Sequence, residues 1–338
     1  MTPEFMRGVE LCGHGGLDQL HYRDDLAVPL PAAGEVQIRI GAAAVNNTDI
    51  NLRIGWYSKT AGLQDGSWTG AAVSFPLIQG ADACGRIVAV GPGVPATRIG
   101  ERVLVNPMLG GALGYFGSER NGAFAEFATV PAPNAHPITS PLSDVELASF
   151  PCSYSTAENL LARGGVRADE TVLVTGGSGG VGSAAVQLAR TRGATVIAIA
   201  RPDKAAAVQR LGADRVLARE ADLRAELGRD SVDVVVDVVG GPQFPSLLNV
   251  LRRFGRYVVA GAIAGPSVDL DLRTLYLKDL KLIGCTNLEP QVFADLVGYI
   301  ERGAIRPVVS ATYPLAEIAA AQTAFLSKAH VGKIVLTL

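Results

Sequence analysis

The chain has 338 residues, of which 48% are hydrophobic and 18% are charged. This composition is typical of a folded protein with a large apolar core, and it excludes a mainly disordered chain. The formal net charge is -2 and the lysines and arginines are scattered, so nothing favours nucleic-acid binding. No apolar run reaches the roughly 18 residues of a membrane span, and the N-terminus lacks the pattern of a signal peptide. The length predicts two domains.

The four cysteines are far apart and never show the C-x-x-C spacing of a structural zinc lobe: Cys12, Cys84, Cys152 and Cys285. Single thiols in an apolar chain are typical of a reducing compartment. We therefore expect a cytoplasmic protein. Residues 1–5 precede a second methionine, so Met6 is a candidate natural start.

The first 150 residues are predicted to be β-rich. Residues 35–40 and 84–91 are strand patterns bounded by Gly and Pro, with a spacing typical of a barrel-like domain. Residues 58–75 show no periodicity, which indicates a lid or a binding loop. Ser143 and Glu146 then form a capping box, which predicts the start of a helix.

The centre of the sequence, residues 171–182, is a β-branched apolar run followed by a glycine turn and then by apolar positions at helical spacing. Gly177, Gly179 and Gly182 match G-x-G-x-x-G. In this pattern the first glycine permits the turn, the second lets backbone approach a pyrophosphate, and the third lets the helix lie close to the strand. Residues 195–200 supply a second buried strand and complete a βαβ unit. The segment therefore predicts a dinucleotide site, with the phosphates at the helix N-terminus.

The end of the second strand indicates which nucleotide is bound. NAD sites usually place Asp or Glu there, to bind the ribose hydroxyls. Here the strand ends in Ala200, and Arg201, Pro202, Asp203 and Lys204 follow. Two cations without an acid at the strand tip favour a 2′-phosphate, so we predict NADP(H) as the cofactor. The alternative is that Arg201 and Lys204 are solvated residues of the next helix's first turn, which Asp203 caps.

Four further buried runs predict the remaining strands of this sheet: residues 215–217, 232–240, 256–261 and 281–285. With helices between them, six such strands describe a doubly wound parallel sheet.

The last elements are too few for a third domain, so we expect them to return to the first one. They comprise a helix at 292–302, a strand at 307–313, a helix at 315–327 and a strand at 332–336. The predicted fold class is α/β, with a nucleotide-binding domain (residues 152–288) inserted into a β-rich domain (residues 1–151 plus 289–338). The active cleft is expected between them.

Three more segments complete a recognisable order of motifs. Residues 80–91 look like G-x-D-x-x-G-x-V-x-x-x-G, residues 100–103 are similar to G-D-R-V, and residues 331–336 contain G-K-I-V-L. Together with the glycine turn, they resemble the medium-chain dehydrogenase/reductase superfamily, and in particular its zinc-independent quinone oxidoreductase and enoyl reductase branch. The resemblance covers nearly the whole chain. It implies a GroES-like catalytic domain with an inserted Rossmann domain.

The chain departs from the zinc alcohol dehydrogenases of this superfamily at the metal ligands. Those enzymes hold zinc with a Cys in C-H-T-D, a His in G-H-E and a later Cys. At the matching places this chain has N-N-T-D (residues 46–49) and G-A-D (residues 80–82), and it keeps only Cys152. One thiolate with Asn and Ala cannot supply three N or S ligands, so we expect no metal and a buried thiol at Cys152.

Without a Lewis acid, alcohol oxidation loses the group that stabilises the alkoxide. A hydride can instead add to a quinone or to the β-carbon of an enone, with the charge held by hydrogen-bond donors. The resemblance assigns Asn46 to the cleft asparagine of quinone oxidoreductases, and Tyr57 to a tyrosine that enoyl reductases use to orient or protonate substrate. Asn51 replaces a tyrosine common in bacterial quinone reductases. The alternatives are a turn-forming role for Asn46 and a packing role for Tyr57.

The resemblance also assigns the cofactor contacts. The pyrophosphate is expected over the glycine turn, the ribose beside the fourth strand's end, and the nicotinamide beside the ends of the fifth and sixth strands. Lys333 matches a lysine near the phosphates, and Thr156 has the alternative of capping a helix. The whole predicted set is Thr156, Gly177, Ser178, Gly179, Gly180, Val181, Gly182, Arg201, Lys204, Gly240, Gly261, Ala262, Ile263, Thr286, Asn287 and Lys333.

The sequence therefore predicts a metal-independent, NADPH-dependent reductase of quinones or of α,β-unsaturated carbonyl compounds. One alternative is an enoyl-thioester reductase, with residues 58–75 admitting a pantetheine arm. Another is a non-catalytic NADPH-binding sensor or structural protein. The expected partners are a small-molecule substrate and a second copy of the chain, paired through the edge of the nucleotide sheet near Lys281.

Overall fold

The computed structural model describes residues 3–57, 73–110 and 114–338. Most of the predicted lid or binding loop, residues 58–72, lies outside the described residues. The chain forms two compact units, one made of Met1–Cys152 with Pro307–Leu338 and the other of Ser153–Arg306.

The first unit consists mainly of short strands, as the spacing of Gly and Pro predicts. Before residue 140 these are β1 (Phe5–Leu11), β2 (Leu20–Ala27), β3 (Glu35–Ala44), β4 (Leu77–Ile78), β5 (Asp82–Val90), β6 (Arg102–Val105), β7 (Phe127–Pro131) and β8 (Ala135–Pro137). Short helices follow β3 and β8: α1 (Asn47–Arg53) and α2 (Asp144–Leu147). The predicted capping box begins α2, since the Glu146 N–H donates to the Ser143 hydroxyl at 3.3 Å and the Ser143 N–H donates to the Glu146 carboxylate at 2.8 Å.

The second unit alternates helices with strands, as predicted. Its elements are α3 (Pro151–Arg163), β9 (Thr171–Val174), α4 (Gly180–Thr191), β10 (Thr195–Ile199), α5 (Ala205–Arg210), β11 (Arg215–Leu217), α6 (Leu223–Leu227), β12 (Val232–Asp237), α7 (Phe244–Val250), β13 (Leu251–Val259), α8 (Leu272–Leu277), β14 (Lys281–Gly284) and α9 (Val292–Glu301). The strands form one parallel sheet in the order β11-β10-β9-β12-β13-β14. The chain thus starts at the centre, moves to one edge and then to the other, which is the doubly wound Rossmann order.

The closing segment returns to the first unit with β15 (Val309–Pro314), α10 (Ile318–Leu326) and β16 (Lys333–Thr337). Its strands extend a sheet of order β15-β16-β3-β5-β6-β8, in which β7 also pairs with β3. A second sheet has the order β2-β1-β4. The core between these elements is apolar and includes fully buried residues such as Val36, Ile38 and Phe124. No helix in the described part of the chain has the length and apolarity needed to cross a membrane.

The second domain boundary was predicted wrongly at residue 289, because α9 and the residues after it belong to the nucleotide unit. The side chains of Gln187 and Tyr154 explain the difference. The Gln187 amide oxygen accepts from the Arg306 N–H at 3.0 Å, and its NH2 group donates to the Tyr154 hydroxyl at 2.8 Å. That hydroxyl donates to the Arg306 carbonyl at 2.8 Å. These bonds hold the segment after α9 in the second unit, which ends at Arg306.

Candidate functional site

The glycine turn between β9 and α4 has the geometry that its sequence pattern predicts. A Cβ on Gly182 would lie 2.1 Å from the Gly176 carbonyl oxygen, so only glycine permits this close approach of helix and strand. The Gly177 N–H donates to the Ile199 carbonyl at 2.9 Å, which ties the turn to the end of β10. A Cβ on Gly179 would meet only the Gly176 oxygen, at 3.5 Å, so the side of the turn that Gly179 faces stays open.

This open turn leads directly into the N-terminus of α4. Gly179 is the N-cap residue of the helix, and Gly179, Gly180 and Val181 are partly exposed, whereas Ser178 is buried. The first N–H groups of a helix have no intrahelical acceptor, and the helix dipole is positive at this end. The arrangement suits an anion such as a pyrophosphate.

The ends of β12 and β13 lie beside each other, as expected for a ligand site at the carboxyl edge of a parallel sheet. A Cβ on Gly240 would lie 3.1 Å from the Ala262 Cα, and a Cβ on Gly261 would lie 2.8 Å from the Val238 carbonyl oxygen. Ile263 follows with 54% of its surface exposed. A side chain at Gly261 would therefore clash with backbone, and one at Gly240 would need its neighbours to move.

The segment after β14 is held by a residue that the sequence did not reveal. The Asn159 amide, fully buried on α3, donates to the Asn287 carbonyl at 3.0 Å and accepts from the Glu289 N–H at 3.1 Å. Thr286 and Asn287 themselves are exposed. Thr156 lies inside α3, one turn before Asn159, so the alternative that Thr156 caps a helix is wrong.

The segment after β10, where the 2′-phosphate was predicted to bind, contains two basic residues, Arg201 and Lys204. The Arg201 guanidinium pairs with the Asp203 carboxylate, with N–O distances of 2.8 and 3.1 Å. Lys204 is only 5% exposed, and its pKa is lowered, first by burial and then by the charge of Arg201. The alternative was that Arg201 and Lys204 are solvated and that Asp203 caps the next helix. It is wrong for Lys204, which is buried, and for Asp203, whose side chain does not cap α5.

Asp237, at the end of β12, holds the cofactor turns together and was missed in the sequence. Its carboxylate is fully buried, and one oxygen accepts from the Thr175 hydroxyl at 2.6 Å, the Val239 N–H at 2.8 Å and the Gly240 N–H at 3.0 Å. The other oxygen accepts from the Tyr257 hydroxyl. The sequence signal for this role was an aspartate at the end of a valine-rich strand, because a carboxylate in such a strand is expected to be buried and hydrogen bonded.

In the first unit, Asn46 lies at the N-cap of α1 and is 5% exposed. Its amide NH2 donates to the Asp82 carboxylate at 2.8 Å and to the Ala44 carbonyl at 3.2 Å, and its oxygen accepts from the Lys333 ammonium at 2.5 Å. Because an ammonium only donates and a carboxylate only accepts, this orientation of the amide is the one its partners require. Both amide N–H groups are committed, which favours the predicted structural alternative for Asn46 over the role of substrate donor.

Asp82 and Lys333 form a buried ion pair at 2.8 Å, with side-chain exposures of 0% and 2%. The other Asp82 oxygen accepts from the Cys152 N–H at 2.6 Å, and the Tyr115 hydroxyl donates to the Cys152 sulfur at 3.3 Å. Burial, followed by the Asp82 charge, raises the pKa of the Cys152 thiol to about 12. The Lys333 ammonium thus has partners within its own unit, and its predicted contact with the phosphates stays a prediction.

These residues do not fit a zinc ion. Zinc binds thiolates, imidazoles and free carboxylate oxygens, whereas the matching positions hold one thiol and one amide, and the Asp82 carboxylate already carries three donors. The third member of the cluster is a cation, Lys333. Within residues 3–57, 73–110 and 114–338, no group of three His, Cys, Asp or Glu side chains is placed to hold a metal.

Tyr57 lies with two other polar side chains of the same segment. The Asn51 amide donates to its hydroxyl at 3.3 Å, and Thr48, which the sequence prediction did not include, also hydrogen bonds to it. Burial raises the pKa of the Tyr57 phenol, so it is protonated at neutral pH. Because an amide N–H donates to the oxygen, the phenol proton is available to an acceptor such as the Thr48 hydroxyl or a ligand carbonyl.

Taken together, a Rossmann unit with an open glycine turn and a β-rich unit with a buried polar cluster define a nicotinamide-dependent oxidoreductase. Comparisons with known proteins agree. Residues 32–140 match the family model described as alcohol dehydrogenase GroES-like domain, and residues 180–302 match that of zinc-binding dehydrogenase.

Similar proteins cover nearly the whole chain. An acryloyl-coenzyme A reductase of Metallosphaera sedula is 30% identical over 98% of this chain and all of its own length. A quinone oxidoreductase of Rattus norvegicus is 30% identical over 99% and 98% of the two chains. Among solved structures, a candidate alcohol dehydrogenase of Sinorhizobium meliloti is 48% identical with a TM-score of 0.93, covering 99% and 97% of the two chains. The protein belongs to the medium-chain dehydrogenase/reductase superfamily, in its zinc-independent branch, as its motifs predicted.

The Asp237 network generates a prediction about nucleotide binding. In Asp237→Ala, four donors lose their acceptor, namely the hydroxyls of Thr175 and Tyr257 and the N–H groups of Val239 and Gly240. This costs about 1–3 kcal/mol for each buried group left unpaired. We expect at least a tenfold weaker Kd for the reduced nucleotide, measured by fluorescence titration, and a lower urea midpoint. Asp237→Asn is the matched control, because its oxygen still accepts at the turn and its NH2 can donate to Tyr257. Nucleotide binding by the alanine variant as tight as in the native protein would contradict this role.

Proposed function

We propose that the protein is a metal-independent, NADPH-dependent oxidoreductase that reduces quinones or the activated C=C bond of α,β-unsaturated carbonyl compounds. The observation that carries the proposal is the composition of the buried cluster in the first unit. Asn46, Asp82 and Lys333 satisfy one another, and an ammonium lies among the residues that resemble zinc-ligand positions of related enzymes.

The side chains of this cluster favour the reduction of an enone or a quinone over the oxidation of an alcohol. Alcohol oxidation benefits from a Lewis acid that stabilises an alkoxide, and the donor set of this chain does not suit one. Reduction of an enone or a quinone places the developing charge on a carbonyl oxygen, which a hydrogen-bond donor can stabilise. A neutral phenol such as Tyr57 is a donor of this kind.

The residues after β10 support NADPH as the cofactor. No acid ends the strand, and Arg201 and Lys204 bring positive charge to the place where a 2′-phosphate binds in Rossmann domains. When bound, the reduced nicotinamide supplies a hydride to the β-carbon of the substrate. Tyr57 donates a hydrogen bond to the substrate oxygen as the electron pair moves onto it, and a proton from Tyr57 or from water completes the two-electron reduction.

A reductase of enoyl thioesters is the second candidate. It is favoured by the similarity to the acryloyl-coenzyme A reductase of Metallosphaera sedula, at 30% identity over nearly the full length of both chains. The chemistry is the same, because a thioester carbonyl also accepts the charge. The two candidates differ in the carbonyl compound that the enzyme accepts, which is a quinone or an enone in the first and an enoyl thioester in the second.

The reaction class is tested by monitoring NADPH oxidation with quinones, enones, enoyl-coenzyme A thioesters and aldehydes, with and without EDTA. We expect turnover of at least one of the first three classes and the same rate in EDTA. The reverse assay, with alcohols and NADP+, is the comparison. Alcohol oxidation that EDTA abolishes would contradict the metal-free assignment. Tight NADPH binding without any turnover would favour a sensor or structural protein.

The role of Tyr57 is tested with Tyr57→Phe. General acid catalysis typically contributes about 10²–10⁴-fold, so we expect kcat to fall at least tenfold while the KM for NADPH is unchanged. Tyr22→Phe, at an exposed tyrosine, is the control. Because burial raises the phenol pKa, the required proton is present at neutral pH and is lost only as the pH rises through that pKa, above about 10. Full turnover by Tyr57→Phe would leave Tyr57 as a packing residue.

We further propose that the protein is a cytoplasmic homodimer that pairs through β14, the edge strand of the nucleotide sheet. The adjoining surface is unusually apolar, with exposures of 63% for Leu272, 61% for Tyr276, 62% for Leu277 and 38% for Leu282. An uncovered strand edge beside such a patch is a typical interface, because two edges can continue one sheet. Free thiols at all four cysteines suit a reducing compartment.

Light scattering after size exclusion tests the dimer. We expect twice the chain mass for the native protein and the monomer mass for Leu282→Lys, since a charge on the edge strand opposes edge-to-edge pairing. Leu30→Lys is the control, because Leu30 is an 81% exposed leucine of the first unit, outside this patch. A monomeric native protein at micromolar concentration would exclude the proposed dimer.

A further inference from the structure

Arg53, the last residue of α1, is a buried cation whose hydrogen bonds to the described residues go to neutral oxygens. It is 3% exposed, and burial lowers the pKa of its guanidinium, while the charge of Asp18 acts in the opposite direction. Burying a charge costs free energy unless hydrogen bonds compensate for it. The acceptors that Arg53 reaches therefore determine where this end of α1 can lie.

These acceptors belong to two distant parts of the first unit. The Arg53 Nε donates to the Gln322 amide oxygen on α10 at 3.0 Å, across 269 residues of chain. Its Nη1 donates to the carbonyl of Gly15, in the connection between β1 and β2, at 2.8 Å, and the Gly15 N–H donates back to the Arg53 carbonyl at 2.7 Å. Gln322 is fully buried, so water does not compete for its oxygen. One side chain thus ties the end of α1 to α10 and to the β1–β2 connection.

The same connection also closes the C-terminus of α1. The Leu52 carbonyl accepts from a His14 ring nitrogen at 2.8 Å and from the Gly55 N–H at 3.1 Å. Since the last carbonyls of a helix lack intrahelical donors, these bonds take the place of the missing ones. The helix has only seven residues, and a helix this short is not stable by itself. Its orientation therefore depends on partners outside the helix, and Arg53 binds two of them.

The turn after α1 carries Tyr57, the proposed donor to the substrate. Gly55, with a φ of 66°, allows the chain to reverse there, and the Trp56 N–H donates to the Asn51 carbonyl at 2.9 Å. Tyr57 is thereby folded back on the helix, where its hydroxyl accepts from the Asn51 amide at 3.3 Å. Because Tyr57 is only four residues from Arg53, a tilt of the end of α1 would move the phenol.

We propose that Arg53 is a positioning residue for Tyr57, which holds the phenol at the place from which it donates to the substrate oxygen. Gln322 and Gly15 are the acceptors through which Arg53 acts. This inference rests on the proposed role of Tyr57 in the reaction and goes beyond it. The position matters because a displacement of about 1 Å at a reacting group can lower the rate about a hundredfold.

Three substitutions test the contacts of Arg53. In Arg53→Lys the charge stays, but one ammonium cannot reproduce the planar fork that binds Gln322 and Gly15 together. We expect kcat to fall about tenfold, with the KM for NADPH unchanged. Gln322→Leu removes an acceptor and should lower kcat in the same way. The conservative variant Gln322→Glu keeps an acceptor oxygen and should restore kcat, since the Gln322 NH2 group has no hydrogen-bond partner to lose among the described residues.

Arg98→Lys is the matched control. Arg98 also belongs to the first unit, and it also donates to two backbone carbonyls, those of Ala132 and Ala135, at 2.7 Å each. It lies in the connection between β5 and β6, outside the segment that carries Tyr57. We expect Arg98→Lys to lower the urea midpoint as Arg53→Lys does, while kcat stays at the native value.

A double variant separates positioning of Tyr57 from a general loss of structure. If Arg53 acts through Tyr57, the group that it positions is already absent in Tyr57→Phe. Adding Arg53→Lys to Tyr57→Phe should then lower kcat by less than about twofold further, because residues that act as a unit are not additive.

Fluorine NMR of protein labelled with fluorotyrosine gives a measurement that does not need turnover. The resonance of Tyr57 is identified by its loss in Tyr57→Phe. We expect Arg53→Lys and Gln322→Leu to shift this resonance, because the phenol changes its surroundings. Arg98→Lys should leave it unchanged.

Failure of this inference can be distinguished from failure of the proposed function. Full turnover by Tyr57→Phe would overturn the proposed role of Tyr57. A large loss in Tyr57→Phe, together with native kcat and an unmoved Tyr57 resonance in Arg53→Lys, would overturn only the role of Arg53. The same would follow if Arg53→Lys lowered kcat by an equal factor in the native and the Tyr57→Phe backgrounds.

Discussion

The buried ion pair of Asp82 and Lys333 is the constraint on which the first unit depends. Removing two charges from water is costly, and loss of either partner of such a pair typically costs about 3–5 kcal/mol. Strand register brings the pair together: β3 lies between β5 and β16, with Ala44 opposite both Asp82 and Val335. Lys333, at the start of β16, and Asp82, at the start of β5, therefore meet beside Asn46, which directly follows β3.

The Asp82–Lys333 ion pair also occupies hydrogen-bonding groups of the neighbouring residues Asn46 and Cys152. Asp82 takes one N–H of the Asn46 amide and the N–H of Cys152, and Lys333 occupies the amide oxygen. Once these bonds form, Asn46 has no donor left for a substrate and the cluster has no set of anionic ligands for a metal. In the proposed reaction the donor to the substrate is Tyr57, whose hydroxyl accepts a hydrogen bond from the Asn51 amide.

In the nucleotide unit, close backbone packing at glycines, and not an ion pair, determines the shape of the predicted cofactor site. Gly182 and Gly176 approach too closely for a side chain at Gly182. In the turn after β12, the N–H groups of Val239 and Gly240 donate to the Asp237 carboxylate. The helix N-terminus is thereby kept open for an anion, and the ends of β9 and β12 are held in register through the Thr175 hydroxyl. A small-molecule oxidoreductase of this superfamily needs both features, a preorganised cofactor turn and a donor for the charge that develops on its substrate.

The sequence alone determined the features that depend on local pattern. The period-2 and period-3.6 apolar patterns, the glycine spacing of residues 177–182 and the missing acid after Ala200 act over a few residues, so they could be recognised without knowing the fold. The tertiary structure decided which distant residues meet. Asn46 and Lys333 are 287 residues apart, and Arg306 is tied to Gln187 across 119 residues. These contacts place the domain boundary at Arg306 and favour a structural role for Asn46, because the partner that satisfies a buried polar group depends on sheet register, which no local pattern encodes.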